Sequence, residues 1–286
     1  MKQLIEPRTG EVRSQTIPGH SHMVRWTEWG NPENPKILLC AHGLSRNARD
    51  FDYLARAMAP RYRVICPDYP GRGQSEWLAN AGYYNNEQYL RDTLAILDSL
   101  QFKQLDWVGT SMGGLIGMAA ASLADNPINK MVINDVGPFI PGAALNLIGD
   151  YLGIHPVFSD QGEAIDYFKT VYASFGALEH QHYEHFVAHG IRPADSGTGY
   201  VLNYDPAIID EFVAAKLGDI DIWHIWDSIT IPLLILRGKN SSLLLPQTVE
   251  QMKHRHGNAE SIEFDDCAHA PSLMVDEQIQ AIDSWL

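Results

Sequence analysis

Short apolar runs recur along the first half of the chain, and amphipathic stretches separate them. Residues 11–17 and 22–29 read as two strands around Pro18-Gly19, and 31–35 as a turn. The continuous apolar run at 36–41 predicts a strand buried on both faces. Residues 47–58 predict a helix with Phe51, Leu54, Ala55 and Met58 on one face. A strand at 63–68 and a glycine-rich loop at 68–75 follow. Residues 86–100 predict a helix striped by Tyr89, Leu90, Leu94, Leu97 and Leu100. Leu105, Trp107 and Val108 mark the next strand, which runs into Gly109-Thr110-Ser111-Met112-Gly113-Gly114 and a small-residue, helix-compatible run at 115–123. Residues 130–135 predict one more strand.

The alternation then stops. From Val136 to about Trp226 the chain is rich in aromatic residues and in helical periodicity, notably at 164–175, 179–189 and 206–217. It resumes with a strand at 232–237, a helix near 246–255, a strand at 261–264 and a helix over about 275–286. Such alternation implies an α/β protein with a mostly parallel sheet flanked by helices. The expected organisation is a core of residues 1–136 and 227–286, with residues 137–226 inserted as a helical cap.

Composition narrows the function classes. The 286 residues, 45% of them hydrophobic, are ample for a large core. A formal net charge of -14 argues against binding nucleic acid. Cys40, Cys66 and Cys267 cannot all pair, and buried free thiols fit a reducing compartment. The first eight residues hold no apolar stretch suited to a signal peptide, and no segment has the length of a membrane span, so a cytoplasmic protein without a membrane partner is expected.

The chemistry centres on Ser111. Strand, sharp turn and helix place it at an apex where Gly109 and Gly113 admit close neighbours. The amide of Met112 would open the helix and point at an anion. A serine hydroxyl is a weak nucleophile and needs a base, with a third group to orient that base.

Several ordered motifs give the chain its resemblance. His42-Gly43-Leu44 follows the 36–41 strand, and Asp68-Tyr69-Pro70-Gly71-Arg72-Gly73-Gln74-Ser75 follows the next. The turn at Ser111, then Leu236-Arg237-Gly238, then Asp266-Cys267-Ala268-His269-Ala270 complete the series. In these motifs the chain resembles the α/β-hydrolase superfamily over essentially its whole length. Its length and cap are similar to those of lid-bearing esterases, lactonases and carbon–carbon bond hydrolases. The resemblance implies an eight-stranded, mostly parallel sheet with an inserted helical cap. It also implies Ser111 as nucleophile and His269 as base. Relatives that cleave haloalkanes or epoxides use an aspartate nucleophile, which is absent from this turn.

The orienting acid departs from the common pattern. It usually follows the penultimate strand, yet residues 237–246 contain no Asp or Glu. Ser242, or less readily Ser241, occupies the slot by spacing. Certain haloalkane dehalogenases place their acid after the strand that follows the nucleophile's helix, which here ends at Asp135. Asp135 is therefore the expected third member, with Ser242 the alternative. Asp265 and Asp266 are expected to point along the strand end. The amides of Leu44 and Met112 are the expected oxyanion donors. Arg46 and Asn47 are candidates for contact with a polar substrate, while His42, Asp68 and Arg72 are expected to brace their loops.

His180, His182, His185 and His189 cluster in the cap with helical spacing, but no accompanying Cys or carboxylate pattern suggests a metal, and a solvated helix face is expected. The sequence thus leads to a serine hydrolase without cofactor or metal, acting on a small or medium carboxylic ester. A lactonase or carbon–carbon hydrolase with the same machinery is one alternative. A non-catalytic ligand-binding member of the fold is another, and a homodimer is left open.

Overall fold

The computed structural model describes residues 6–16 and 19–286. Its main sheet has eight strands: β1 (Arg8–Thr16), β2 (His20–Trp29), β3 (Lys36–Ala41), β4 (Arg63–Asp68), β5 (Gln104–Thr110), β6 (Ile128–Asn134), β7 (Leu233–Gly238) and β8 (Ala259–Phe264). They lie in the order β1-β2-β4-β3-β5-β6-β7-β8. β1 pairs antiparallel with β2, and β2 antiparallel with β4. Every later pairing in the sheet is parallel. Ile17, the last residue of the first predicted strand, Pro18 of the predicted turn and Met1–Ile5 lie outside the described residues.

Alternate side chains on each strand enter opposite cores, as the pleat dictates. Ile37, Leu39 and Ala41 of β3 join one cluster with Trp107, Ile116 and Met118. Leu38 and Cys40 join the other with Phe51, Leu54 and Met58. Helices α2 (Asn86–Ser99) and α3 (Met112–Ala121) cover the first face, and α1 (Asp52–Met58) contributes to the second. All three cysteines are buried and unpaired.

Between β6 and β7 the chain leaves the sheet and forms α4 (Gly142–Leu152), α5 (Gln161–Val171), α6 (His180–Gly190), α7 (Pro206–Ala214) and the short α8 (Trp223–Trp226). Two features here were not predicted. Phe139–Ile140 pairs with Ile220–Asp221, tying the two ends of the insertion together at its neck. Val157–Phe158, Ile191–Pro193 and Tyr200–Leu202 form a small antiparallel sheet. Strands this short leave no readable alternation in the sequence. The chain then closes with α9 (Pro246–His256) and α10 (Asp276–Trp285) on either side of β8. Among the described residues no helix is long and apolar enough to cross a membrane.

The fit of α3 against the sheet leaves no room at its first turn. A Cβ on Gly113 would stand 2.0 Å from the carbonyl oxygen of Ala41, and backbone cannot yield as a side-chain tip does. Gly113→Ala is therefore expected to push α3 off β3 and to cost about 3 kcal/mol or more. A urea titration should show the lowered midpoint; an unchanged midpoint would contradict this packing.

Candidate active site

β5 delivers Ser111 at the sheet's C-terminal edge, and α3 begins on the next residue. The turn between them is tight enough to hold Ser111 at φ 53°, ψ -116°, a region rarely adopted by residues with a side chain. Its amide donates to the Asn134 carbonyl at 2.9 Å, and its carbonyl accepts from Gly114 at 2.8 Å. A Cβ at Gly109 would sit 2.3 Å from the Gly113 carbonyl oxygen, so the serine is presented on a backbone with no slack.

Asp135 follows β6 directly. Its amide extends the pairing to β7 by donating to the Leu236 carbonyl at 2.8 Å, while its φ of 54° turns the chain away from the sheet. Aspartate tolerates this left-handed backbone better than most residues. The carboxylate is fully buried and has three partners. Oδ1 accepts from the Gly238 amide at 2.9 Å, Oδ2 accepts from Ser241 Oγ at 2.6 Å, and Oδ2 also lies 2.8 Å from His269 Nδ1. A buried charge needs this degree of satisfaction.

The carboxylate can only accept, so it selects the tautomer with the proton on Nδ1. His269 Nε2 is then left to accept from Ser111 Oγ, 3.0 Å away. The structure thus brings Ser111, His269 and Asp135 into one hydrogen-bonded chain.

Ser242 does not join it. That residue is exposed, and the neighbouring Ser241 turns inward. Ser241 Oγ receives the amides of Leu243 and Leu244 at 3.2 and 3.1 Å, which leaves its hydroxyl proton aimed at Asp135. Arg237 fixes the same loop by donating to the Leu244 carbonyl at 2.8 Å. The loop that lacks an acid therefore holds the acid supplied by β6. Asp265 pairs with Lys239, and Asp266 accepts from the Ala177 amide, so both point away from His269.

The loop after β3 stands beside the serine: a Cβ on Gly43 would lie 3.7 Å from Ser111 Cβ. Arg72 Nε donates to the Leu44 carbonyl at 2.9 Å, and Arg72 Nη1 donates to the Pro70 carbonyl and Tyr89 Oη at 2.8 Å each. His42 Nε2 accepts from the Tyr69 amide, so Nδ1 carries the proton given to the Gly43 carbonyl at 2.7 Å. Burial, with Arg72 second, pushes this imidazole down to about 3, which keeps it uncharged near neutrality. Asp68 accepts from the amides of Ala48 and Gln74. These three side chains tie the loops after β3 and β4 to each other and to α2.

Arg46 and Asn47, expected to be near a substrate, part company. Arg46 lines the cavity over Ser111, but its guanidinium is held by Asp50, by Tyr172 Oη at 2.6 Å and by the faces of Tyr172 and Phe186. Asn47 is buried away from the cavity wall. It caps the turn at Ala48–Phe51 and donates to the His189 carbonyl at 3.0 Å. Adjacent positions at the start of a helical turn point different ways, which spacing alone does not resolve.

The cavity itself encloses about 480 Å³, within the range of small-molecule sites. Ser111 and His269 open into it beneath apolar walls that include Leu115, Val136, Ile140, Leu145, Phe175 and Phe212. Several of these come from the insertion. The insertion also buttresses the histidine loop, since the Ala268 amide donates to the Ser174 carbonyl at 2.7 Å.

Of the insertion's histidines, His180 is exposed beside Glu184, and His182 Nδ1 accepts from the Glu179 amide at the start of α6. His185 and His189 face Asp52 of α1 rather than solvent alone. Burial, with help from Arg49, His185 and Arg56, pushes His189 down to about 3, so it is uncharged.

Known proteins bear out this architecture. The family model of the α/β hydrolase fold matches residues 36–273. The chain belongs to the α/β hydrolase family. This hydrolase is 40% identical over 280 residues to a 3-hydroxybutyrate-oligomer hydrolase of Cupriavidus necator, covering 96% of this chain and 95% of that one. A solved structure of a putative hydrolase from Rickettsia typhi superimposes with a TM-score of 0.90 at 35% identity, covering 98% of both chains. An α/β hydrolase from Novosphingobium aromaticivorans gives 0.86 at 29% identity, covering 98% of this hydrolase and 97% of that chain.

Proposed function

We propose that this hydrolase cleaves carboxylic esters through an acyl-enzyme on Ser111, and that short oligomers of 3-hydroxybutyrate are its substrate class. One observation carries the reaction: the Ser111–His269–Asp135 chain, with spacings of 3.0 and 2.8 Å. The substrate class draws on the relative from Cupriavidus necator and on a largely apolar cavity of suitable size.

In this reading His269 Nε2 takes the hydroxyl proton as Ser111 Oγ attacks the ester carbonyl. The Leu44 and Met112 amides receive the charge that develops on the carbonyl oxygen. Buried Asp135 stabilises the imidazolium and remains ionised. The imidazolium returns its proton to the departing alcohol, leaving the acyl group on Ser111. A water then gives its proton to His269 and attacks the acyl carbon, and collapse, with the imidazolium returning that proton to Ser111 Oγ, releases the acid and restores the serine. Residues 137–226 act as the cap that shapes the acyl pocket. A purely ligand-binding role rested on the missing acid after β7, and Asp135 at His269 removes that support.

The test is hydrolysis of dimeric and trimeric 3-hydroxybutyrate, beside p-nitrophenyl esters of graded acyl length, with Ser111→Ala as control. Monomer release and p-nitrophenol release by the unaltered protein alone are the expected results. Equal rates for both proteins on every ester would sink the esterase reading. Turnover of p-nitrophenyl esters without turnover of the oligomers would sink only the substrate class.

A further inference from the structure

Away from the cavity, α6 of the insertion meets α1 of the core at a cluster with no part in the proposed chemistry. His185 and His189 are four residues apart on α6 and so share one face. Their ring centroids are 4.7 Å apart. Asp52, fully buried, opens α1 opposite them. One ligand atom from each of the three residues lies within 4.8 Å of the others, and His185 Nε2 is 3.6 Å from Asp52 Oδ2. The sequence shows the histidines but not the carboxylate, which comes from more than a hundred residues away.

Two imidazoles and one carboxylate suit a borderline first-row cation, with a water completing a tetrahedron. Magnesium and calcium prefer oxygen ligands throughout. We propose that Asp52, His185 and His189 form a binding site for a divalent transition-metal ion of the zinc class, which pins α6 to α1. Loading the site exchanges partners already present. Arg49 Nε lies 2.9 and 2.8 Å from the two oxygens of Asp52, and His185 Nε2 lies 2.8 Å from the Arg49 carbonyl. The Arg49 side chain, 22% exposed, has a path to solvent. A metal cation would take its place, so the buried carboxylate keeps a countercharge. Arg49 is thus the ion's competitor, and the site is selective for a metal that binds imidazole strongly enough to displace it.

The experiment is calorimetric titration of the chelator-treated full chain with Zn²⁺, alongside thermal unfolding and the visible spectrum with Co²⁺. The expected result is one equivalent bound, a rise in Tm of roughly 3–6 °C at saturating zinc and tetrahedral cobalt bands, with no response to Mg²⁺. His185→Ala and His189→Ala should each lose that equivalent, and Arg49→Ala should tighten it severalfold. Circular dichroism checks that each variant is folded, and His189→Gln serves if His189→Ala is not. No zinc binding by the unaltered chain, or an equivalent that persists in the folded histidine variants, overturns the proposal. These readouts do not involve ester cleavage, so they stand apart from the proposed function.

Discussion

Ser111→Ala is expected to lower kcat on any ester the protein cleaves by about 10⁵- to 10⁶-fold, or ~7–8 kcal/mol of transition-state stabilisation. The Ser111 hydroxyl lies 3.0 Å from His269 Nε2, and on the proposed mechanism alanine there leaves the histidine with nothing to activate but water. Folding should be untouched or slightly improved, since the Ser111 side chain is only half-buried and alanine meets the same positive-φ backbone. KM should change little, because the cavity walls remain intact. Steady-state rates and a thermal melt, measured together, check this: loss of activity with an unchanged or higher Tm is the predicted pair.

Asp135→Asn is expected to cost about 10³- to 10⁴-fold in kcat. The reason is tautomeric. The Gly238 amide donates to one side-chain oxygen of residue 135, so an asparagine there keeps its oxygen on that side and turns its NH₂ toward Ser241 and His269. Nδ1 must then accept rather than donate, which puts the histidine proton on Nε2 and removes the base from Ser111. Ser242→Ala, at an exposed position without contact to the site, should leave the rate unchanged. The comparison is decisive because Ser242 is the candidate by spacing and Asp135 the candidate by its place after β6. Full activity in Asp135→Asn with loss in Ser242→Ala would place the orienting group in the loop after β7 instead.

Much of this was legible in the residues. The apolar runs at 36–41 and 232–237 predict doubly buried strands, and β3 and β7 are buried almost throughout. The elbow is legible because its glycines, its serine and the small residues of α3 all serve one tight approach of helix to sheet. His269 is legible from its place after the last strand.

What escaped the sequence depends on direction and on distance along the chain. Ser241 and Ser242 are chemically identical neighbours, and only the turn held by Arg237 decides which one faces Asp135. Arg46 and Asn47 likewise separate by one backbone step, one toward the cavity and one toward α6. Asp52 carries no local hint of His185 and His189, because their meeting is made by the packing of the insertion on the core.

The central claim is that Ser111 is a nucleophile driven by His269 and Asp135. A fluorophosphonate tests it without any assumption about the natural substrate, since the reagent labels a serine only when a neighbouring base activates it. Peptide mass spectrometry after labelling should find one adduct, on Ser111. The adduct should be absent from Ser111→Ala, form far more slowly in Asp135→Asn and form at the normal rate in Ser242→Ala. Labelling of a different residue, or of Ser111 at the same rate with and without the Asp135 carboxylate, would contradict the account.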